Sequence, residues 1–328
     1  MARRRLLLLL ACALPPECDG HADRGCHRRI YIDAGANWAN TLRLHTKLEK
    51  SVPKVKREAL NSTCAYEWEV YGFEASPIMN PYNDRFVKYL NGKAPRPSLT
   101  VPPVGGSIQM LHYARHYGCP SKHDKRQYLQ MYDCMNAIFN PAYAALKVDP
   151  ALSEPNLVKR RLDKAAVPNT GSSTRFTFVP AAVGAVNSTL EMCWPYGMLL
   201  TTDLRNLSAG VPLPAGMPKC MDVPIVDFVS WMATSFSKSD LVIVKMDVEG
   251  AEHDIMRRLA DESLLERIDV LGFECHDRPG HRCDRLNANI RAHGVKIVSE
   301  QSSSGLMGVD QYSTPALLMP IDPRNASL

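Results

Sequence analysis

Short apolar runs that end on a carboxylate set the frame of this chain. Arg29-Ile-Tyr-Ile-Asp33 is one, Glu67-Trp-Glu-Val-Tyr-Gly-Phe73 before Glu74 is a second, and Leu241–Met246 before Asp247 is a third. Apolar at consecutive rather than alternate positions, such runs fit strands buried on both faces, as in a parallel sheet. Helical spacing appears at Ala39–Lys50, Val226–Ser235, Ala251–Leu259 and Leu286–His293. The third of these gathers Ala251, Ile255, Met256 and Leu259 on one face. Further strands are expected at Arg175–Val179, Ile268–Phe273, Val295–Ser299 and Ala316–Met319. Strands alternating with helices predict an α/β chain with a mainly parallel sheet and helices on both faces.

Residues 92–174 interrupt that rhythm. Pro95, Pro97, Pro102, Pro103, Pro141, Pro150, Pro155 and Pro168 fall there, with the pair Gly105-Gly106. The stretch is too long for an ordinary connection and reads as an inserted subdomain, with helix at Ser107–Tyr117 and Lys125–Ile138. With 45% hydrophobic and 22% charged residues the chain is neither disordered nor fibrous. Its net charge of +5 comes from scattered Lys and Arg without interleaved aromatics, a solvated surface, so no nucleic-acid partner is expected.

The N-terminus speaks to compartment. Arg3-Arg4-Arg5, the apolar run Leu6–Leu14 and the small exit Ala11-Cys12-Ala13 have the outline of a signal peptide over residues 1–14. Residues 15–28 are a polar lead-in. The apolar run is far short of the ~20 residues that span a bilayer, and no stable membrane span is expected. No Cys-x-x-Cys is present, and in an oxidising lumen the cysteines should pair. Short loops favour Cys18–Cys26, Cys119–Cys134 and Cys275–Cys283. Asn61, Asn187, Asn206 and Asn325 open glycosylation sequons.

Ligands of such sheets sit beyond the C-terminal strand ends, where strand order reverses. Asp33-Ala-Gly-Ala-Asn37 puts Gly35 at a strand-to-helix turn, where the backbone can approach a ligand closely. It is not Gly-x-Gly-x-x-Gly, so a nicotinamide oxidoreductase is disfavoured. Glu74, ending the next strand, is placed to accept from both hydroxyls of a ribose, which suits a nucleoside better than a dinucleotide. For Asp33 taken alone, the alternative is a strand-ending Asp that caps the following turn. Lys245-Met-Asp-Val-Glu-Gly250 gathers ionisable groups at the mouth of an apolar run, with alternation pointing Lys245, Asp247 and Glu249 one way. The plainer reading of Glu249 and Glu252 is helix-end electrostatics, about 0.3–1 kcal/mol each.

Together, Asp33-Ala-Gly-Ala-Asn37, Tyr71-Gly-Phe-Glu-Ala-Ser76 and Val244-Lys-Met-Asp-Val-Glu-Gly-Ala-Glu252, followed by Glu274-Cys-His276, resemble the FkbM-type methyltransferases. The resemblance covers residues 29–91 and 175–320. Trp38-Ala39 stands where family members usually carry a second glycine. The resemblance implies a Rossmann-like seven-stranded class I methyltransferase fold over 29–320, with the insertion at about 92–174 and a tail at 321–328. It also implies S-adenosylmethionine as cofactor, held at Asp33, Gly35, Ala36, Asn37 and Glu74. Methyl transfer to oxygen on a glycan or small hydroxylated acceptor then calls for a base, for which Asp247, Glu249 and His276 are the candidates.

Two metal readings are open. Cys275, His276, His281 and Cys283 match no common zinc framework and favour a disulfide. A divalent ion at Asp247 and Glu249 suits oxygen ligands, but no metal is assigned from sequence. A reading from another class is a non-catalytic secreted binding protein built on the same scaffold.

Overall fold

A computed structural model describes residues 28–36, 39, 41–54, 56–57, 67–77, 79–95, 97, 118–120, 130, 134, 149–165, 167, 169, 173–193, 220–276 and 280–299. Its strands are β1 (Arg29–Ala34), β2 (Glu69–Phe73), β3 (Arg175–Val179), β4 (Ala182–Gly184), β5 (Ser188–Cys193), β6 (Cys220–Asp227), β7 (Leu241–Met246), β8 (Val270–Phe273) and β9 (Lys296–Ser299). Its longer helices are α1 (Asn80–Leu90), α2 (Pro155–Ala165), α3 (Phe228–Ser235), α4 (Glu252–Asp261) and α5 (Cys283–Ala292).

Six strands form one sheet in the order β3-β2-β1-β7-β8-β9, and every pairing in it is parallel. The order reverses between β1 and β7, which lie side by side with Asp33 opposite Lys245. Strand alternation sorts the core into two layers. Ile30, Ile32, Tyr71, Phe73, Val244 and Met246 face Phe228, Met232, Ile255, Met256 and Leu259 of α3 and α4. On the other side Tyr31, Val70, Leu241, Ile243 and Val270 meet Leu42, Leu48, Trp68 and Phe86. Burying each large apolar side chain stabilises the fold by about 1.5–3 kcal/mol. Both sides are covered, hence the continuous apolar runs.

The second sheet, β4-β6-β5, has β6 in its middle, parallel to β4 and antiparallel to β5. It has no counterpart in the sequence reading. β4 is three residues long, and Pro224 inside β6 argues against a strand. α1 likewise has no counterpart in the sequence reading. Pro81 sits in the first turn of α1, where its missing N–H costs no hydrogen bond.

Several boundaries move for local reasons. The helix expected from Val226 starts at Phe228, because the Asp227 side chain accepts from Ser230 N at 2.9 Å and caps it. The Ala39–Lys50 helix shrinks to His45–Leu48 and a 3-10 turn at Glu49–Ser51. Upstream of it, the Thr41 carbonyl and hydroxyl are engaged by Tyr31 and Asp33. α5 begins at Cys283, which is disulfide-bonded to Cys275, so those two cysteines offer no thiolates for zinc. Cys119 and Cys134 are also bonded to each other.

α2 lies within the segment read as an insert and packs on β3. Arg161 reaches from it to the Phe178 carbonyl at 2.8 Å and to Asp84 of α1 at 2.7 Å. Residues 1–27, most of 98–148 and 300–328 lie outside the described residues, and with them fall the signal peptide, the Ser107–Tyr117 and Lys125–Ile138 helices and the Ala316–Met319 strand. Cys18, Cys26, Asn61, Asn206 and Asn325 are outside them too. Among the described residues, no helix is long and apolar enough to cross a membrane.

Candidate active site

The turn after β1 is fixed by backbone. Gly35 and Ala36 donate to the Phe73 carbonyl at 3.1 and 2.8 Å, and Asp247 N donates to Ala34 O at 3.0 Å. Gly35 has φ +86°, and a Cβ there would stand 1.9 Å from the Asp247 carbonyl oxygen. Only glycine fits both the conformation and the space. The ends of β1, β2 and β7 are thereby drawn together.

Beneath the turn lies a buried ion pair. Lys245 Nζ stands 3.5 Å from Asp33 Oδ1 and donates to the Gly35 carbonyl, while Thr41 donates to Asp33 Oδ2 at 2.6 Å. Burial pulls the Lys245 ammonium down, but Asp33, Asp247 and Glu74 outweigh it and hold its pKa above the ordinary value. Burial pushes the Asp33 carboxyl up, against Lys245 and Thr41. Asp33 is fully buried and, like Ala36, does not line the cavity described next. Asp33 is held beneath the turn by Thr41 and Lys245, and Ala36 is held within it by its bond to the Phe73 carbonyl. Asn37 lies outside the described residues.

A cavity of about 1120 Å³ opens above the strand ends. Gly35, Phe73, Glu74 and Met79 line one side, and Asp247, Glu249, Glu274 and His276 line another. The small sheet closes it with Val183, Gly184, Leu190, Met192 and Ile225. The Glu74 carboxylate accepts from Ser76 N at 2.8 Å, so one of its oxygens caps its own turn.

At the mouth, His276 Nε2 stands 3.6 Å from Glu249, 4.0 Å from Asp247 and 4.0 Å from Glu274. Its ring is aimed by Glu252, whose Oε1 accepts from His276 N at 2.6 Å and from Nδ1 at 3.1 Å. The other Glu252 oxygen accepts from Gly250 N at 2.7 Å. Glu252 is thus a completely buried clamp between the β7 and β8 loops. Burial would raise its carboxyl, but the bonds from His276 prevail and hold it below the ordinary range.

The charges settle the proton. The hydrogen bond to Glu252 is the largest influence on His276, and with Glu249 and Asp247 it outweighs burial and pushes the ring up to about 9. In this arrangement the His276 ring is held protonated at neutral pH and faces its acids as a cation. Burial raises the Glu249 carboxyl, helped by Asp247 and Glu274 and opposed by His276. Glu249 also has φ +54°, unusual for a residue with a side chain.

Sequence reasoning did not count Glu252 or Glu274 among the site residues. Glu274 and His276 stand together at a strand end in the sequence, but the burial of Glu252 and its reach to His276 leave no local signal there. Lys245 departs from the alternation expected of it. The strand ends at Met246, the alternative the sequence left open, and Lys245 lies beneath the Gly35 turn against Asp33 and Asp247 while Asp247 and Glu249 line the cavity.

Residues 154–297 match the family model of the methyltransferase FkbM domain. The matched stretch carries Lys245–Glu252, Glu274 and His276, whereas Asp33, Gly35 and Glu74 precede it. A methyltransferase FkbM domain agrees with the parallel sheet and with a cavity at its order reversal. No curated protein and no solved structure gives a significant match to the chain.

Proposed function

We propose that the protein is a methyltransferase that uses S-adenosylmethionine to methylate an oxygen of a sugar or another hydroxylated acceptor. The observation that carries this reading is the cavity at the β1/β7 reversal, lined by Glu74 on one side and by Asp247, Glu249 and His276 on the other. The residues suit the cofactor. Carboxylates favour a cationic sulfonium, Phe73 and Met79 offer apolar contact, and about 1120 Å³ exceeds the usual volume for one small ligand. The cofactor, when bound, supplies an electrophilic methyl group.

This chain's residues do the rest. Gly35 lets the turn approach a nucleoside, and Glu74 accepts from its ribose. Asp247 holds the acceptor hydroxyl, and Glu249, made more basic by burial, takes its proton. His276 remains protonated, balances the surrounding acids and keeps Glu249 in place. Such alignment contributes several kcal/mol, about 7–11 at best. Calorimetry of the purified mature protein with S-adenosylmethionine and S-adenosylhomocysteine tests the reading. Micromolar binding of both is expected, and no binding of either would retire it.

The location proposed is the secretory pathway. The Arg3–Leu14 segment supports it, and disulfides at Cys119–Cys134 and Cys275–Cys283 are compatible with it. Exposed Asn187 offers a described surface for glycosylation. Peptide mapping of protein from a secreting host should find Met1 removed and Asn187 modified; retention of Met1 would overturn the assignment.

A further inference from the structure

We propose that Asp247, Glu249 and His276 form a site for a divalent transition-metal cation at the mouth of the cavity. One ligand atom from each lies within 4.8 Å of the other two. The His276 nitrogen is 3.6 Å from a Glu249 oxygen and 4.0 Å from an Asp247 oxygen. Two ligands about 2.1 Å from a common ion stand roughly 3.0 Å apart at a right angle and about 4.2 Å apart when opposite, so these separations already fall in range.

The second observation lies behind the ligands. Metal-bound imidazoles usually give their other ring nitrogen to a carboxylate, which fixes tautomer and orientation. Glu252, fully buried, accepts from His276 Nδ1 at 3.1 Å and from its backbone N at 2.6 Å. Nε2 is left turned towards Asp247 and Glu249. The three side chains retain 24%, 39% and 30% of their exposure, so positions stay open for water and for an acceptor oxygen. Two carboxylates with one imidazole select manganese, iron or zinc over calcium, which prefers oxygen alone.

What the ion does rests on the methyl-transfer reading. Loading the ion displaces the proton that His276 carries in the metal-free protein; bound to the acceptor oxygen, the ion makes that hydroxyl easier to deprotonate, and the Glu249 oxygen not on the ion takes the proton. Whether it binds is independent of that reading.

The test uses the full mature chain, stripped with a chelator and titrated with Mn²⁺. The free Mn²⁺ resonance signal and calorimetry read binding, and circular dichroism confirms folding. One Mn²⁺ per chain is expected at micromolar affinity. Asp247→Asn and His276→Gln should each weaken it at least tenfold, and Glu252→Gln about 10–100-fold. No Mn²⁺ binding by the folded wild type, or equal affinity in all three folded variants, overturns the proposal. Should a variant fail to fold, Glu249→Gln at the more exposed position supplies the same comparison. S-adenosylhomocysteine is titrated into the stripped protein in parallel. Its binding without Mn²⁺ binding sinks the metal site alone, and Mn²⁺ binding without it sinks the methyl-transfer reading alone.

Discussion

The eight residues from Lys245 to Glu252 serve two regions governed by opposite rules. Lys245 and Glu252 are buried, and each spends its charge on backbone groups and neighbouring side chains, Asp33 and Asp247 for Lys245 and His276 for Glu252. Asp247 and Glu249 face the cavity, where charges outnumber their fixed partners. The histidines repeat the contrast. His45 packs between Tyr31 and Trp68 and is kept neutral, whereas His276 is kept charged by its acids. Residue type does not separate support from chemistry here. What separates them is whether a charge is consumed inside the protein or left facing the cavity.

Removing a charge from the buried region should have the largest effect. Lys245→Met leaves Asp33 buried without its cation, and breaking a buried pair from one side costs about 3–5 kcal/mol. Urea unfolding should show most of the stability gone. A loss under about 1 kcal/mol would mean that the pair is no support, and the two regions would no longer differ.

The mouth should respond in rate instead. Asp247→Asn and Glu249→Gln keep shape and lose proton affinity, so methylation of a hydroxylated sugar acceptor should fall about 10²–10⁴-fold. Their unfolding midpoints should scarcely move, since both groups are partly exposed. Wild-type turnover in both would take the chemistry away from these carboxylates.

Glu74 sits between the regions, one oxygen on Ser76 N and the residue on the cavity wall. If it also accepts from a ribose, Glu74→Ala should weaken S-adenosylhomocysteine by about 1.5–3 kcal/mol per hydrogen bond lost. If it only caps its turn, calorimetry will find the affinity unchanged.

The supports were less legible in the sequence than the strands they hold. Asp33, Glu74 and Asp247 could be located because an apolar run ending in an acid is a local pattern. The clamp from Glu252 to His276 spans 24 residues, and Asp33 to Lys245 spans 212. Neither contact leaves a trace in local spacing. Glu252 therefore read as helix-end charge, and the pairing of Asp33 with Lys245 went unread. The wall made by β4, β5 and β6 was hidden by shortness and by Pro224. Pairing across the sheet, not propensity, makes those strands.

The smallest expected effect tests whether the buried side is electrically silent. His45 is 5% exposed, and burial, with Arg43 adding to it, lowers its pKa to about 4 against a backbone hydrogen bond at Leu42 that raises it. An unfolded histidine titrates near 6.5. As pH falls below that value, the unfolded chain takes up a proton that the folded chain refuses, so acid favours unfolding. Between about pH 7 and pH 5 this one group should remove on the order of 2 kcal/mol of stability. Other groups titrate in the same window, so the informative quantity is the difference from His45→Phe, which keeps an aromatic ring between Tyr31 and Trp68. Urea unfolding at both pH values should show the variant losing less on acidification, whatever its stability at pH 7. If the two proteins lose stability in parallel, His45 is protonated in the fold as readily as in water. The layer beneath the sheet would then be open to solvent, and the contrast with His276 would vanish.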